Sequence, residues 1–544
     1  MNPNQSTDYI PFRDTNYFSD FICNYLDENP ELKEFYSRFP KLENFKLQIE
    51  EKSLEFTNKS VTSSEVEKRK VLVDVLKTQY KNLETSKLTT QHIESLKLQN
   101  TFTITTGHQL NLFTGPLYFL YKIISTINLT QQLKEKYPEF NFVPIYWMAS
   151  EDHDFEEINY FKFKGKKIQW NSNQTGAVGH FNTEGLEDVF NVISAEFGEG
   201  KHAEQLKAWF KNAYLSHNNL ADATRYLANK LFGEHGLVIL DSDHKDLKRL
   251  FIPNIEKEVL EQTAFKTVSK TNTKLEDLGL KIQVNPREIN FFYIKDNLRE
   301  RIVFEDDVFK VNNTNITWSK SELLKHINEM SERFSPNVIM RPLYQEVILP
   351  NLCYIGGGGE LIYWLQLKSN FEAQKVAFPM LLLRNSAVVK TKKQADKLDK
   401  LNISNQDLFL DRNSFINKKV RQISNIEIDF SEQIQHLKQQ FKALHQLTKE
   451  TDTSFLGAVN AQEVKQIKGL KHLEKRLLKA QKKKLANQIQ RCTALQEQLF
   501  PNKSLQERNT NFSELYLEYG DDLIPELMKA LQPLKSEFLA LTLL

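Results

Sequence analysis

Cysteine is nearly missing from this chain of 544 residues: there are three, Cys23, Cys353 and Cys492, far apart and at no CxxC or CxxxH spacing. That excludes a disulfide framework and a structural zinc site as organising devices, and fits a reducing compartment. An excess of one charge sign is missing too. Lys plus Arg is 72 against 70 for Asp plus Glu, so the bulk charge asks for neither nucleic acid nor an acidic membrane, and any basic site must be local. No long charge-free apolar run resembles a membrane span, and the opening MNPNQSTDYIPF lacks the basic and apolar regions of a secretory signal. A cytoplasmic protein is expected.

The length exceeds one simple core, and two or three units are expected. Residues 1–100 read as a charged helical lead-in, in which Val71, Val73, Leu76, Tyr80 and Leu83 fall roughly on one face. From residue 101 the texture changes to strand TFTIT, a long helix, strand FVPIYWMAS, and later LANKLFGEHGLVILDSD. Strands alternating with helices predict an α/β unit with a mostly parallel, doubly wound sheet. Its first part is placed at 101–264. Short runs KIQV, FFYIK and RIVFE suggest antiparallel hairpins inserted over 265–335, and the α/β signal resumes over 336–390. Proline is then absent from 391 to 500, where Ile434, Leu437, Phe441 and Leu444 stand at spacings of three and four, and Leu478, Leu485, Cys492 and Leu499 stand seven apart. Two long helices with an apolar seam are expected in an arm over 391–510, with a tail at 511–544 returning to the core. The lysine run KAQKKKLANQ is read as the solvated face of a helix rather than a nucleic-acid patch.

Three stretches carry candidate chemistry. In TTGHQLNLFTGP, Gly107 lets the chain leave its strand sharply, while Gly115 and Pro116 start the next helix, whose first amides are open to phosphate or carboxylate. His108 and Gln109 add side-chain donors; a tight turn capped by His108 is the plainer alternative. The spacing matches neither GxGxxG nor a P-loop. In FVPIYWMASEDHDFEEIN a buried strand delivers Ser150, Glu151, Asp152, His153 and Asp154 at its carboxyl end, where such sheets hold active sites. Asp152, His153 and Asp154 are rival candidates for acid/base work; if His153 faces the ligand, alternation turns Glu151 away. Mg²⁺ through Asp152 or Asp154 suits hard oxygen donors, yet no dedicated metal site is read. In RPLYQEVILPNLCYIGGGGELIYWLQLK, Gly356, Gly357, Gly358 and Gly359 precede Glu360 and make a second loop where backbone can lie against a ligand; Arg341 and Arg384 are candidate carboxylate or phosphate anchors.

Read together, these three stretches resemble the cysteine-adding enzymes of bacillithiol biosynthesis, also called cysteine ligases, and the likeness continues through the helical arm to the tail LQERNTNFSELYLEYG. The resemblance implies a Rossmann-like, nucleotidyltransferase-related core with inserted connecting segments, and a coiled-coil arm that pairs two subunits as a homodimer. It implies as substrates cysteine and glucosaminyl malate, joined through an amide. Two positions depart from the family pattern: His108, where many members carry glutamine, and Gly358, where proline is common. A carboxylate does not condense with an amine unaided, so the cysteine carboxyl must be activated, and the ligase resemblance implies ATP for that purpose. A non-catalytic dimeric scaffold that binds a nucleotide or sugar is the competing expectation.

Overall fold

The computed structural model describes residues 5–57 and 64–544. MNPN, the start of the opening expected to lack a leader, lies outside the described residues, as do residues 58–63 of the helical lead-in. Among the described residues no helix is long and apolar enough to cross a membrane. The chain divides into two units: the larger holds residues 7–388 and 506–541, and the smaller holds 389–505 with short terminal pieces.

In the lead-in, helices α1 (Phe45–Thr57) and α2 (Ser64–Tyr80) precede the first core strand. The buried face of α2 is Leu72, Val73, Val75, Leu76 and Tyr80, with Val71 and Leu83 only half-buried. The core then runs β1 (Thr101–His108), α3 (Tyr118–Lys136), β2 (Asn141–Met148), α4 (Leu220–Phe232) and β3 (Val238–Asp241), followed by the short helix α5 (Lys245–Arg249). Four further strands lie between residues 291 and 318: β4 (Phe291–Lys295), β5 (Leu298–Glu305), β6 (Val308–Val311) and β7 (Thr317–Trp318). With β8 (Phe334–Pro336) they make an antiparallel sheet in the order β7-β6-β5-β4-β8. The core resumes with α6 (Met340–Ile348), β9 (Asn351–Gly356), α7 (Gly358–Leu365) and β10 (Met380–Leu383). Its five strands are all parallel, in the order β10-β9-β1-β2-β3.

Two expected details differ. Residues 263–277 form a helix, and KIQV at 281–284 joins no sheet. There the side chain of Gln366 replaces a neighbouring strand: its Oε1 accepts the amides of Gln283 and Val284, each at 3.1 Å, and its Nε2 donates to the Val284 carbonyl at 2.8 Å. In the smaller unit, α8 (Arg412–Ile423), α9 (Ser431–Leu447), α10 (Thr453–Lys484) and α11 (Ala486–Leu499) take the place of two long helices. The backbone turns at Leu485 (φ −98°, ψ 15°), so the heptad run is split: Cys492 and Leu499 are buried, and Leu478 and Leu485 are half-buried.

Central parallel strands are covered on both faces, and TFTITTGH and NFVPIYWM accordingly read as continuous buried runs. On one face Phe102, Ile104, Leu352, Ile355, Met380 and Leu382 pack with Phe45 and Ile49 of α1 and Leu129 and Leu133 of α3. Full burial of each such side chain is worth about 1.5–3 kcal/mol. All three cysteines are buried and free, and burial pushes the Cys353 thiol well up, so it packs as a small apolar group.

A buried polar network pins the sheet to its neighbours. Glu346 on α6 and Lys52 on α1 are both fully buried and 3.5 Å apart, and Lys52 also meets Glu55 at 3.0 Å. Glu346 Oε1 accepts from Gln345 and from Asn351, and Asn351 Oδ1 in turn accepts the hydroxyls of Thr103 and Thr105 on β1. Burial pushes the Glu346 carboxyl from its ordinary 4.5 up to about 7, against the pull of Lys52. A folded value above the unfolded one means that folding favours the protonated acid, so its stability contribution is present below about pH 4.5 and lost as pH rises towards 7. Glu346→Gln is expected to flatten that decline, which amounts to roughly 3 kcal/mol. Urea midpoints at acidic and mildly alkaline pH check this; equal declines in both proteins would show that Lys52 fully compensates the charge.

Candidate active site

Beyond the carboxyl ends of β1, β2 and β9 lies a cavity of about 310 Å³, the position where open parallel sheets bind ligands. β1 supplies Gly107 and His108, with Gln109 just beyond; β2 supplies Trp147 and Met148, followed by Glu151 and Asp152. Arg341 comes from α6, Tyr354 from β9, Glu360 and Tyr363 from α7, and Arg299 from β5 of the inserted sheet.

The opening loop is held from two sides. Lys122, fully buried on α3, donates to the Gly107 carbonyl at 2.7 Å and pairs with Glu360. Gln109 Nε2 donates to Asp152 Oδ2 at 2.9 Å and to Glu157 at 2.8 Å. His108 is buried, its ring edge-on to Tyr118; burial, then the charges of Lys122 and Arg384, push its imidazole far below the ordinary value. The ring is therefore held in its neutral form and packs against Tyr118 and Phe119.

At the start of α3 one amide expected to be open to an anion, and two neighbouring carbonyls, are taken up within the fold. The Leu117 amide donates to the Thr510 carbonyl at 2.7 Å, and Asn511 Nδ2 donates to the carbonyls of Phe113 and Gly115 at 2.8 and 2.6 Å. Gly115 is a turn glycine: φ is +63°, and a Cβ there would lie 2.6 Å from the Asn111 Cβ. Pro116 faces a neighbouring cleft with Tyr118, Lys162 and Arg508. Arg384 is likewise structural. Its guanidinium meets the fully buried Glu507 at 2.7 Å and donates to Ser386 at 3.0 Å, and Glu507 also accepts the Ala387 amide at 2.9 Å.

The stretch SEDHD splits by position. Strand β2 ends at Met148, and the Asp152 amide turns back to the Ala149 carbonyl at 3.2 Å, so strand alternation stops before the acidic run. Ser150 is buried, bonded to Asp241, and approached by the Gly179 amide at 2.8 Å. Glu151 and Asp152 line the cavity; His153 is half exposed and Asp154 is exposed. Burial pushes the Asp152 carboxyl up, but donors from His153 and Gln109 outweigh it and hold it well below the usual carboxylate range. His153 Nδ1 accepts from Arg299 at 2.8 Å.

At the glycine loop, a Cβ on Gly356 would sit 2.8 Å from Glu360 Oε2, and one on Gly358 3.3 Å from Ile22, whereas Gly359 has open space. Gly357 caps α7, its amide 3.4 Å from Glu360. Among the described residues the amides of Gly358 and Gly359 meet no recorded acceptor, as expected for a first helical turn. Arg341 donates to Tyr363 at 3.2 Å and to Gln345 at 3.1 Å, and lies over the Tyr354 ring. Neither Arg341 nor Arg299 has a carboxylate at ion-pair distance among the described residues, nor do these residues contain a His, Cys, Asp or Glu cluster able to hold a metal.

Sequence reasoning did not single out Lys122, Arg299, Tyr354 or Tyr363, and it turned Glu151 away only if His153 faced the ligand, whereas Glu151 lines the cavity and His153 does not. A lone lysine inside PLYFLYKIISTI was one available signal, and arginine alternating in LRERIVFE another.

A parallel Rossmann-type sheet with a polar cavity at its carboxyl edge, joined to a helical arm, defines a Rossmann-like enzyme core with a coiled-coil domain. Residues 6–385 match the family described as Bacillithiol biosynthesis BshC, N-terminal Rossmann-like domain, and residues 387–543 match its C-terminal coiled-coil domain. The chain belongs to the BshC family. It is 57% identical over 540 residues to a protein of Christiangramia forsetii, covering 98% of this chain and 99% of that one. It is 57% identical over 537 residues to one of Flavobacterium johnsoniae (99% and 100% covered), and 38% identical over 528 residues to one of Cytophaga hutchinsonii (97% of each). Each of these relatives is named "Putative cysteine ligase BshC".

Two substitutions test the reassigned residues. Gly115→Val is expected to cost about 2 kcal/mol or more of stability, through strain and contact with Asn111. Arg384→Met, which strands the buried Glu507 carboxylate, is expected to cost about 3–5 kcal/mol. Thermal and urea unfolding measure both. Full stability with lost ligand binding would return either residue to the binding site.

Proposed function

We propose that this protein is a ligase that joins the carboxyl group of cysteine to the amine of glucosaminyl malate, forming the amide of bacillithiol. Membership of the BshC family supports the reaction. The structural observation that carries it is the cavity's charge pattern: two guanidiniums without carboxylate partners among the described residues, Arg299 and Arg341, stand in one cavity with Glu151, Asp152 and Glu360. The cations suit the carboxylates of the malate half and the anionic oxygens of an activated acyl group, which arginine grips in a planar fork. The acids suit an amine that arrives protonated.

ATP would supply the activation of the cysteine carboxyl. Arg341, Arg299 and the amides of Gly358 and Gly359 fit its phosphates, since among the described residues none of these donors is spent on a carboxylate. Mg²⁺ would take its ligands largely from phosphate and water, as it commonly does at nucleotide sites. This chain's own contribution is to hold both substrates over one sheet edge, with His108 kept neutral and Lys122 fixing the loop that carries it.

The test is incubation of the purified chain with glucosaminyl malate, cysteine and ATP. Bacillithiol, identified by mass, is expected together with cysteine-dependent nucleotide consumption. Binding of nucleotide or sugar without product would favour the non-catalytic scaffold instead.

We propose further that the arm pairs two subunits. On α9 and α10, Leu444, Leu447, Phe455, Leu456, Val464 and Leu473 are 38–52% exposed, more apolar surface than an isolated helix pair leaves in water. Sedimentation at micromolar concentration is expected to show a dimer, and Phe455→Glu with Leu473→Glu a monomer. A monomeric parent protein would exclude the pairing.

A further inference from the structure

Amide formation needs a group that takes a proton from the attacking amine, and three carboxylates line the cavity. Asp152 is committed: Gln109 at 2.9 Å and the His153 and Asp154 amides at 2.7 and 3.4 Å fill its oxygens. Glu360 is committed as well, to Lys122, to the Tyr354 hydroxyl at 3.0 Å and to the Gly357 amide at 3.4 Å. Glu151 differs. Its Oε1 is held by Lys248, and its Oε2 takes no hydrogen bond among the described residues.

The support behind Glu151 is a buried row of charges. Lys248 on α5 is fully buried, donates to the Phe334 carbonyl at 3.0 Å, and lies 4.0 Å from Asp243. Asp243 meets His180 Nε2 at 2.8 Å, and the His180 side chain is 58% exposed. Lys248, Asp243 and His180 do not line the cavity, so the row leads away from it, with Glu151 as its cavity end.

We propose that Glu151 accepts the proton lost by the amine as the carbon–nitrogen bond forms, and that Lys248 is a positioning residue that fixes its carboxylate. The assignment rests on the ligase reading. In the step, the amine, after losing its ammonium proton to solvent, bonds through nitrogen to the activated cysteine carbonyl carbon, and the bond from that carbon to the phosphoryl or adenylyl oxygen breaks. The leaving group departs with the electron pair, and the nitrogen's proton passes to Glu151. Cysteine supplies the carboxyl, and a nucleoside triphosphate supplies the phosphoryl or adenylyl group that activates it. Burial pushes the Glu151 carboxyl up, and Lys248 opposes this without reversing it, which makes a stronger base than an ordinary carboxylate.

The experiment uses the full chain with glucosaminyl malate, cysteine and ATP across a pH series. Glu151→Gln is expected to lower turnover by about a hundredfold or more. KM for glucosaminyl malate is expected to stay within about threefold, and cysteine-dependent isotope exchange into ATP to persist. Glu151→Ala should regain turnover when formate is added. Lys248→Met, which leaves Glu151 without its cation, should move the acidic limb of the pH–rate profile to higher pH, a change that a merely structural lysine would not produce. The double variant Glu151→Gln with Lys248→Met removes both buried charges, and should fold and remain slow. Folded variants with turnover within about fivefold of the parent would overturn the assignment while leaving the ligase reading standing. No bacillithiol from the unaltered chain would overturn the reading and the assignment together.

Discussion

The buried pair of Arg384 and Glu507 ties the far end of the larger unit to the edge of the sheet that bears the cavity. Glu507 is fully buried and accepts from Arg384, Ser386 and the Ala387 amide, so it fixes the chain just past β10. Arg384 in turn lies 4.9 Å over the Tyr118 ring at the start of α3, beside His108. The segment that carries Glu507 continues to Thr510 and Asn511, which close the loop after β1. Two charges so far from water are stable only as a pair, since either alone would face the full desolvation penalty. The positions of Gly107, His108 and Gln109 at the cavity therefore depend on residues close to the other end of the sequence.

That dependence marks the boundary of what the sequence could disclose. The α/β class was legible because buried parallel strands must be continuously apolar, and TFTIT, FVPIYWMAS and LCYI stand out from amphipathic helices. The cavity was legible in Gly107, His108, Gln109, Asp152, Arg341 and Glu360, because polar residues directly after such strands have few other places to go. Gly115 and Arg384 sit in structural contacts that local pattern hid, while Pro116 faces a cleft beside the cavity. Local pattern shows that a helix start has free amides and that an arginine has a charge, but not that Thr510 and Glu507 come back to use them. Glu151 was misread through alternation, a rule of strands applied one turn beyond the last strand residue.

The site joins opposite charges without letting them cancel. Lys122 with Glu360 and Lys248 with Glu151 are neutralised in place, whereas Arg299 and Arg341 are held by His153, Ser335, Gln345, Tyr363 and aromatic faces. Neutral partners orient a guanidinium but leave its charge available. The inserted antiparallel sheet earns its place in the same way, since β5 contributes Arg299 and thus one of the two open cations to a cavity otherwise built by the parallel sheet.

The link between Asn511 and Gly115 spans 396 positions. During synthesis at roughly 5–20 residues per second, β1 and its loop would leave the ribosome about 20–80 seconds before the segment that closes them. Through that interval the Gly115 and Phe113 carbonyls and the Leu117 amide have only water as partner, and Arg384 emerges without Glu507. The whole coiled-coil domain is made in between. The loop after β1 thus matures late, and a chain released before residue 507 would carry all five parallel strands with that loop still open.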